Sequence, residues 1–146
     1  MPAYLPIDDG LTVGAQPSEA MLHALHADGY ATIISVRTGV EDMQPIHPAE
    51  QGRLCEAIGL RFFHVPVSMR TADAGTVQAF REALDTARPA GRVFLHCKLG
   101  QRAAAMALLD QAHRHGWSAE HALQHADEHG YDLRSATLRA FVTRHL

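Results

Sequence analysis

The chain has 146 residues, 47% hydrophobic and 20% charged, with a formal net charge of -3 at pH 7. That is the length of one ordinary domain, enough to close a core without metal or disulfide staples, and its acidity does not favour nucleic acid as a general partner. Cys55 and Cys97 are too few for a disulfide framework, MPAYLPIDDG lacks the basic and apolar regions of a signal peptide, and no run approaches the roughly 20 apolar residues of a membrane span. The expectation is one cytoplasmic domain over residues 1–146, with no membrane and no nucleic-acid partner.

LTVGA, Leu11 to Ala15, alternates as a strand does. Pro17 and Ser18 then open a helix with Ser18 as its N-cap, Met21, Leu22 and Leu25 on one face, and Gly29 at its end. ATIISV, Ala31 to Val36, is a β-branched run that predicts a buried parallel strand. A polar loop of about a dozen residues follows, Arg37 to Pro48, and loops that long are often functional. The next helix starts near Pro48, turns Leu54, Cys55 and Ile58 inward and closes at Gly59. RFFHVPV, Arg61 to Val67, is the third main strand, with His64 expected in its core.

The loop SMRTADAGT leads into a helix carrying Val77, Phe80 and Leu84 at helical spacing. Pro89, Ala90 and Gly91 turn the chain into RVFLH, another buried strand. The helix after HCKLGQRA is mostly small residues with Met106, Leu108 and Leu109, so it can lie close to its neighbours and is expected to be central. Ser118 and Gly130 bracket one further helix. Ser135 caps a last one, with Leu138, Phe141 and Val142 inward. Strands alternating with helices predict an α/β fold with a mostly parallel central sheet flanked by helices. In such sheets the chemistry gathers at the carboxyl ends of the strands, where Cys97 and the loops after Val36 and Val67 fall.

Cys97 sits where a strand turns into a helix. Thiolate is the reactive form of cysteine, and a strand-to-helix turn favours it. The amides of Lys98, Leu99, Gly100, Gln101 and Arg102 can face the concavity, and the helix N-terminus adds partial positive charge. Gly100 permits a backbone that Cβ resists, and Arg102 offers a planar fork for an oxyanion. A nucleophile at the bottom of an anion cup suggests transfer of a phosphoryl or sulfur group to Cys97. The competing reading of Cys97 is a small buried hydrophobe. For Cys55, beside Leu54 on an amphipathic helix, core packing is the expectation.

On LTVGAQPS, IISVR with Glu41 after it, AIGLRFFHVPVS, HCKLGQR and GWSAEHALQHADEHGYDL, the chain resembles the phosphatase-like domain family of beta-lactamase hydrolase-like proteins, a branch of the tyrosine and dual-specificity phosphatase fold. The resemblance runs from about Leu11 to Tyr131. It implies a cysteine-dependent phosphatase without a cofactor. Cys97 would form a phosphocysteine from phosphotyrosine-like or small phosphoesters, while Arg102 and the loop amides hold the phosphoryl oxygens. Such an enzyme acts on a phosphorylated small molecule or protein. Its general acid, by the same resemblance, lies on the loop SMRTADAGT, whose one acid is Asp73. Asp73 is equally a helix N-cap, and Glu41 and Asp42 are the other candidates. Arg37 and Glu41 can instead pair to brace their loop.

Several residues depart from the usual phosphatase pattern. Four residues separate Cys97 from Arg102, where the usual signature has five. The shorter loop resembles that of rhodaneses, so a sulfurtransferase carrying a persulfide on Cys97 is the alternative. Ala103 stands where a hydroxyl often helps the thiolate leave, Leu99 makes the rim less polar, and Lys98 adds charge. Among the 11 histidines, His121, His125 and His129 recur every fourth residue near His113 and His115. Such spacing can bind zinc, but no cysteine or carboxylate completes a strong pattern, and a solvated helix face with no metal is the expectation. His96 reads as an orienter of the cysteine loop rather than a base.

Overall fold

The computed structural model describes residues 4–40 and 46–146. Five strands form one sheet in the order β1-β2-β5-β3-β4: β1 is Tyr4–Asp8, β2 Leu11–Gly14, β3 Tyr30–Ser35, β4 Arg61–His64 and β5 Arg92–His96. Among the described residues only β1 runs antiparallel to its neighbour; β2, β5, β3 and β4 are parallel. The expected α/β architecture with a mostly parallel sheet stands, and the antiparallel edge makes the sheet mixed.

The helices are α1 (Glu19–Ala27), α2 (Pro48–Ile58), α3 (Ala74–Ala87), α4 (Gln101–His115), α5 (Ala119–Glu128) and α6 (Ala136–Arg144). Their starts follow local chemistry. Ser18, Ser118 and Ser135 each accept from the backbone N–H three residues on, satisfying a donor that the first turn leaves open. Asp73 does the same for α3 and completes a capping box with Thr76. Gly59 ends α2 in the left-handed region, with its N–H on Cys55 O.

The chain runs from β2 past the slot of β5 to β3, on to β4, and then reverses to fill the slot. Right-handed crossovers therefore put α1 and α2 on one face and α3 on the other. The core divides accordingly. Leu22, Leu25, Ile33, Cys55 and Phe94 pack beneath α1 and α2. Ile34, Val93, Leu95, Phe80, Met106 and Phe141 pack on the opposite face. Every residue from Ala103 to Ala112 in α4 is buried, as its small side chains predict. Asp110 is buried there as well, between Arg81 at 3.3 Å and Arg114 at 2.6 Å.

Three expectations need correction. β1 was not expected, the first strand having been placed at Leu11; Pro6 is tolerated within it since β1 is an edge strand. β4 stops at His64 rather than at Val67. Val65 and Val67 still donate to Ser35 O and Val36 O, but Pro66 between them has no N–H to extend the ladder. β4 is also the other edge of the sheet, so His64 is exposed rather than a core residue, though its Nε2 lies 2.6 Å from Arg37 O. Among the described residues, no helix is long and apolar enough to cross a membrane.

Candidate functional site

The alternation of β5 sets the geometry of its carboxyl end. Val93 and Leu95 face α3 and α4, while Phe94 and His96 face α1 and α2. Cys97 follows immediately and is buried. Gly100, at φ 98°, swings the chain into α4, a conformation that side chains other than glycine resist. Its amide then donates to Cys97 Sγ at 3.1 Å. From the loop after β2, Gln16 N–H bonds Lys98 O at 3.1 Å and so braces the turn. Cys97 thus lies before the N-terminus of a 15-residue helix, where the partial charge favours an anion.

Cys97, Lys98, Leu99, Gln101 and Arg102 line a cavity of about 130 Å³, roughly four waters' share of liquid volume. Arg102 also donates from Nη1 to Val67 O at 2.9 Å, which ties the cup to the chain after β4. Leu99 is 72% exposed, so the rim is apolar as its sequence suggests. Larger hollows lie elsewhere. One of about 590 Å³ is lined by His47, Pro48 and Phe62, and another of about 380 Å³ by His121 and His125. Size does not locate the chemistry: neither of these has a cysteine in its lining, and Ser118, which borders the second, is engaged as the N-cap of α5.

Behind the cup runs a line of buried polar groups. Arg37 is wholly buried and donates to Ser35 Oγ at 3.1 Å, Ile46 O at 2.6 Å and Gln51 Oε1 at 2.8 Å. Gln51 Nε2 is 2.8 Å from His96 Nε2, and His96 Nδ1 is 2.9 Å from Cys97 O. His96 has no solvent exposure, which suits an orienting role rather than proton exchange with substrate. Arg37 and His96 were singled out in the sequence, but Gln51 was not. Its signal was present: Pro48, Gln51 and Cys55 fall at i, i+3 and i+7, and they are the buried residues of α2.

The candidate acids fare differently. Asp73 is exposed, and its carboxylate accepts from Thr76 N at 3.0 Å and Thr76 Oγ1 at 3.2 Å. The Thr76 backbone and hydroxyl bonds hold its carboxyl below the usual range. The cap role is therefore filled, and Asp73 is not in the lining of the Cys97 cavity. Glu41 and Asp42 lie outside the described residues. Another acid, Asp132, accepts from Gln101 Nε2 at 3.0 Å and so anchors a residue of the cup. Its carboxyl is held far below the usual range, first by Arg134 and then by Gln101.

The histidines from the end of α4 onward form a stack that their spacing did not predict. Trp117 packs against His115, His121 and His125 at centroid distances of 5.3, 4.8 and 4.6 Å, and His125 stacks on His129 at 4.1 Å. Among the described residues, no group of three or more His, Cys, Asp or Glu gathers as a metal site does. Cys55 packs in the apolar cluster under α1 and α2, as expected.

Residues 8–143 match the family described as DSP-PTPase phosphatase fused to NAD+ kinase. A beta-lactamase hydrolase-like protein of Agrobacterium fabrum is 33% identical over 138 residues, covering 90% of this chain and 30% of that protein. The chain spans less than a third of the length of the curated relatives it matches. The nma1982 structure from Neisseria meningitidis z2491 has a TM-score of 0.79 at 23% identity, over 99% of both chains. P. aeruginosa TpbA in complex with pTyr has a TM-score of 0.68 at 18% identity, over 96% of this chain and 90% of that one. These likenesses bear out the resemblance and establish the phosphatase fold. With nearly its whole length matched, the chain belongs to the family described as DSP-PTPase phosphatase fused to NAD+ kinase.

Proposed function

We propose that this chain is a cysteine-dependent phosphatase acting on phosphotyrosine-like or small phosphoesters. The observation that carries the reading is the Gly100 amide on Cys97 Sγ at the N-terminus of α4, with Arg102 lining the same cavity. Cys97 thiolate attacks phosphorus, an S–P bond forms, and the P–O bond to the leaving alcohol or phenol breaks. Arg102 and the amides of Lys98, Leu99, Gly100 and Gln101 hold the phosphoryl oxygens as charge shifts onto the leaving oxygen. Water then cleaves the S–P bond and restores the thiolate. The partner is a phosphorylated small molecule or protein, and the scheme uses no cofactor. Asp73 is the acid that would protonate the leaving oxygen, and it would have to leave its cap on Thr76 to do so.

A second reading, sulfur transfer, rests on the loop spacing alone. Four residues between Cys97 and Arg102, a spacing that resembles the rhodanese loop, suit sulfur transfer, which needs no general acid. Cys97 thiolate would attack the outer sulfur of thiosulfate, releasing sulfite and leaving a persulfide. Cyanide would take that sulfur as thiocyanate and free the thiolate.

The two readings separate in one experiment. Aryl phosphate hydrolysis and thiosulfate-to-cyanide transfer are measured side by side on the wild type and Cys97→Ser. Phosphate release that vanishes in the variant is the expected result. Thiocyanate formation without phosphate release would overturn the phosphatase reading.

A further inference from the structure

We propose that Gln51 is a positioning residue for Cys97: it fixes the tautomer of His96, and His96 fixes the peptide that carries the sulfur. The inference rests on Cys97 being the reacting group, whichever transfer it performs. It begins with donors and acceptors. A guanidinium only donates, so Arg37 Nη2, 2.8 Å from Gln51, makes the facing amide atom the carbonyl oxygen. The other end of that amide, Nε2, also only donates, and it meets His96 Nε2 at 2.8 Å. His96 Nε2 is therefore a bare acceptor, and the ring proton sits on Nδ1, where it donates to Cys97 O at 2.9 Å.

Arg37, Gln51 and His96 are each no more than 1% exposed, so water cannot readily replace a lost partner. Arg37 is itself held by Ser35 Oγ and Ile46 O. With the opposite tautomer, two hydrogens would meet between Gln51 and His96, and two lone pairs between His96 and Cys97 O. Among the described residues, the charged groups on the elements that meet the ring are Arg37 after β3, and Lys98 and Arg102 beyond Cys97. From α2 it meets neutral Gln51, while Glu50 and Arg53 face solvent.

The test uses the full chain at pH 7. Imidazole ¹H–¹⁵N correlations, with His96 assigned by its loss in His96→Asn, are expected to show the Nδ1–H form. Gln51→Met keeps the volume but neither hydrogen bond, and alkylation of Cys97 by iodoacetamide should slow about tenfold as the loop loses its register. Gln51→Glu can accept from both Arg37 and a doubly protonated His96, and so keeps the Nδ1–H donation to Cys97 O. It should alkylate at least as fast as wild type, to within about threefold.

A wild-type His96 protonated on Nε2 would overturn the proposal even if both variants fail to fold. So would a folded Gln51→Met that alkylates at the wild-type rate, or a Gln51→Glu no faster than Gln51→Met. Failure of the phosphatase reading would show instead as no aryl phosphate hydrolysis by wild type, with alkylation and tautomer unchanged.

Discussion

Cys55 and Cys97 are equally hidden, at 0% and 1% exposure, yet their surroundings are opposite. Cys55 lies on α2 among Leu22, Leu25, Ile33 and Phe94, and burial pushes its thiol up to about 11. Cys97 receives the Gly100 amide, faces the start of α4 and shares a cavity with Lys98 and Arg102. Burial alone does not decide what a cysteine does. The atoms aimed at the sulfur decide it: the turn between β5 and α4 aims the Gly100 amide at Cys97, whereas α1 and the sheet surround Cys55 with apolar side chains.

The largest test of that contrast removes each sulfur in turn. Cys97→Ser should lower aryl phosphate turnover by at least about 10³-fold with little change in folding. Cys55→Ala should leave kcat within about twofold and cost about 1 kcal/mol, the loss of one small buried group. Steady-state kinetics and urea unfolding of both variants check the pair, and equal activity losses would break the comparison.

The turn that aims the amide is the next target. Gly100 needs φ 98°, while a Cβ there would meet nothing closer than Gly14 at 3.6 Å. Gly100→Ala is therefore strained without clashing. It should cost about 1–2 kcal/mol and, by shifting the amide off Sγ, slow turnover about tenfold. Gly116→Ala is the control, since Gly116 is also left-handed, at φ 68°, with open space around it at the far end of α4. It should show the stability loss with unchanged kcat. A similar fall in kcat for both would mean that the effect is strain alone.

These contrasts were only partly legible in the sequence. HCKLGQR disclosed the cup, because cysteine, glycine and arginine in that order at a strand-to-helix turn have few other uses. Ser18, Ser118 and Ser135 disclosed helix starts, because capping is local chemistry. Gln51 was passed over because a glutamine near Glu50 and Arg53 reads as solvent-facing, although its spacing from Pro48 and Cys55 put it on the buried face of α2. Only the packing of α2 over the end of β5 gives it a buried histidine to meet. Arg37 was read as a brace for its loop, but the depth of its burial depends on Ile46 from the far end of that loop and on Gln51 from α2 beyond it. β1 was missed because a five-residue edge strand with Pro6 inside it carries little strand signal.

Asp73 carries two readings that a pair of substitutions can separate. Asn caps a helix about as well as Asp but cannot serve as an acid, whereas Ala does neither. If Asp73 is the acid, Asp73→Asn keeps its melting temperature and loses about tenfold or more in kcat on alkyl phosphates, whose leaving groups need a proton. Aryl phosphates, with better leaving groups, should suffer less. Asp73→Ala should melt lower as well. If Asp73→Asn is fully active on both substrate types, Asp73 is a cap only, and the sulfur-transfer reading gains.

The smallest expected effect lies far from the cup, in the stack around Trp117. Burial, and then the neighbouring His129 and His121, hold His125 below the usual histidine range, against a smaller opposing effect of Glu128. A histidine depressed in the folded state binds fewer protons there than when unfolded. Its contribution is therefore complete above about pH 6.5 and is lost as pH falls through that range. The depressed carboxyls of Asp8, Asp73, Asp127 and Asp132 act in the same direction but at lower pH, below about 4. Between pH 7.5 and 5.5, then, a fall in melting temperature should trace to the histidine stack rather than to the acids. The ring is only half-buried, so the fall should be about a degree or two. His125→Gln removes the titrating group and should flatten that segment of the curve. Equal slopes for wild type and variant would show that the stacked imidazoles take up their protons without disturbing the fold.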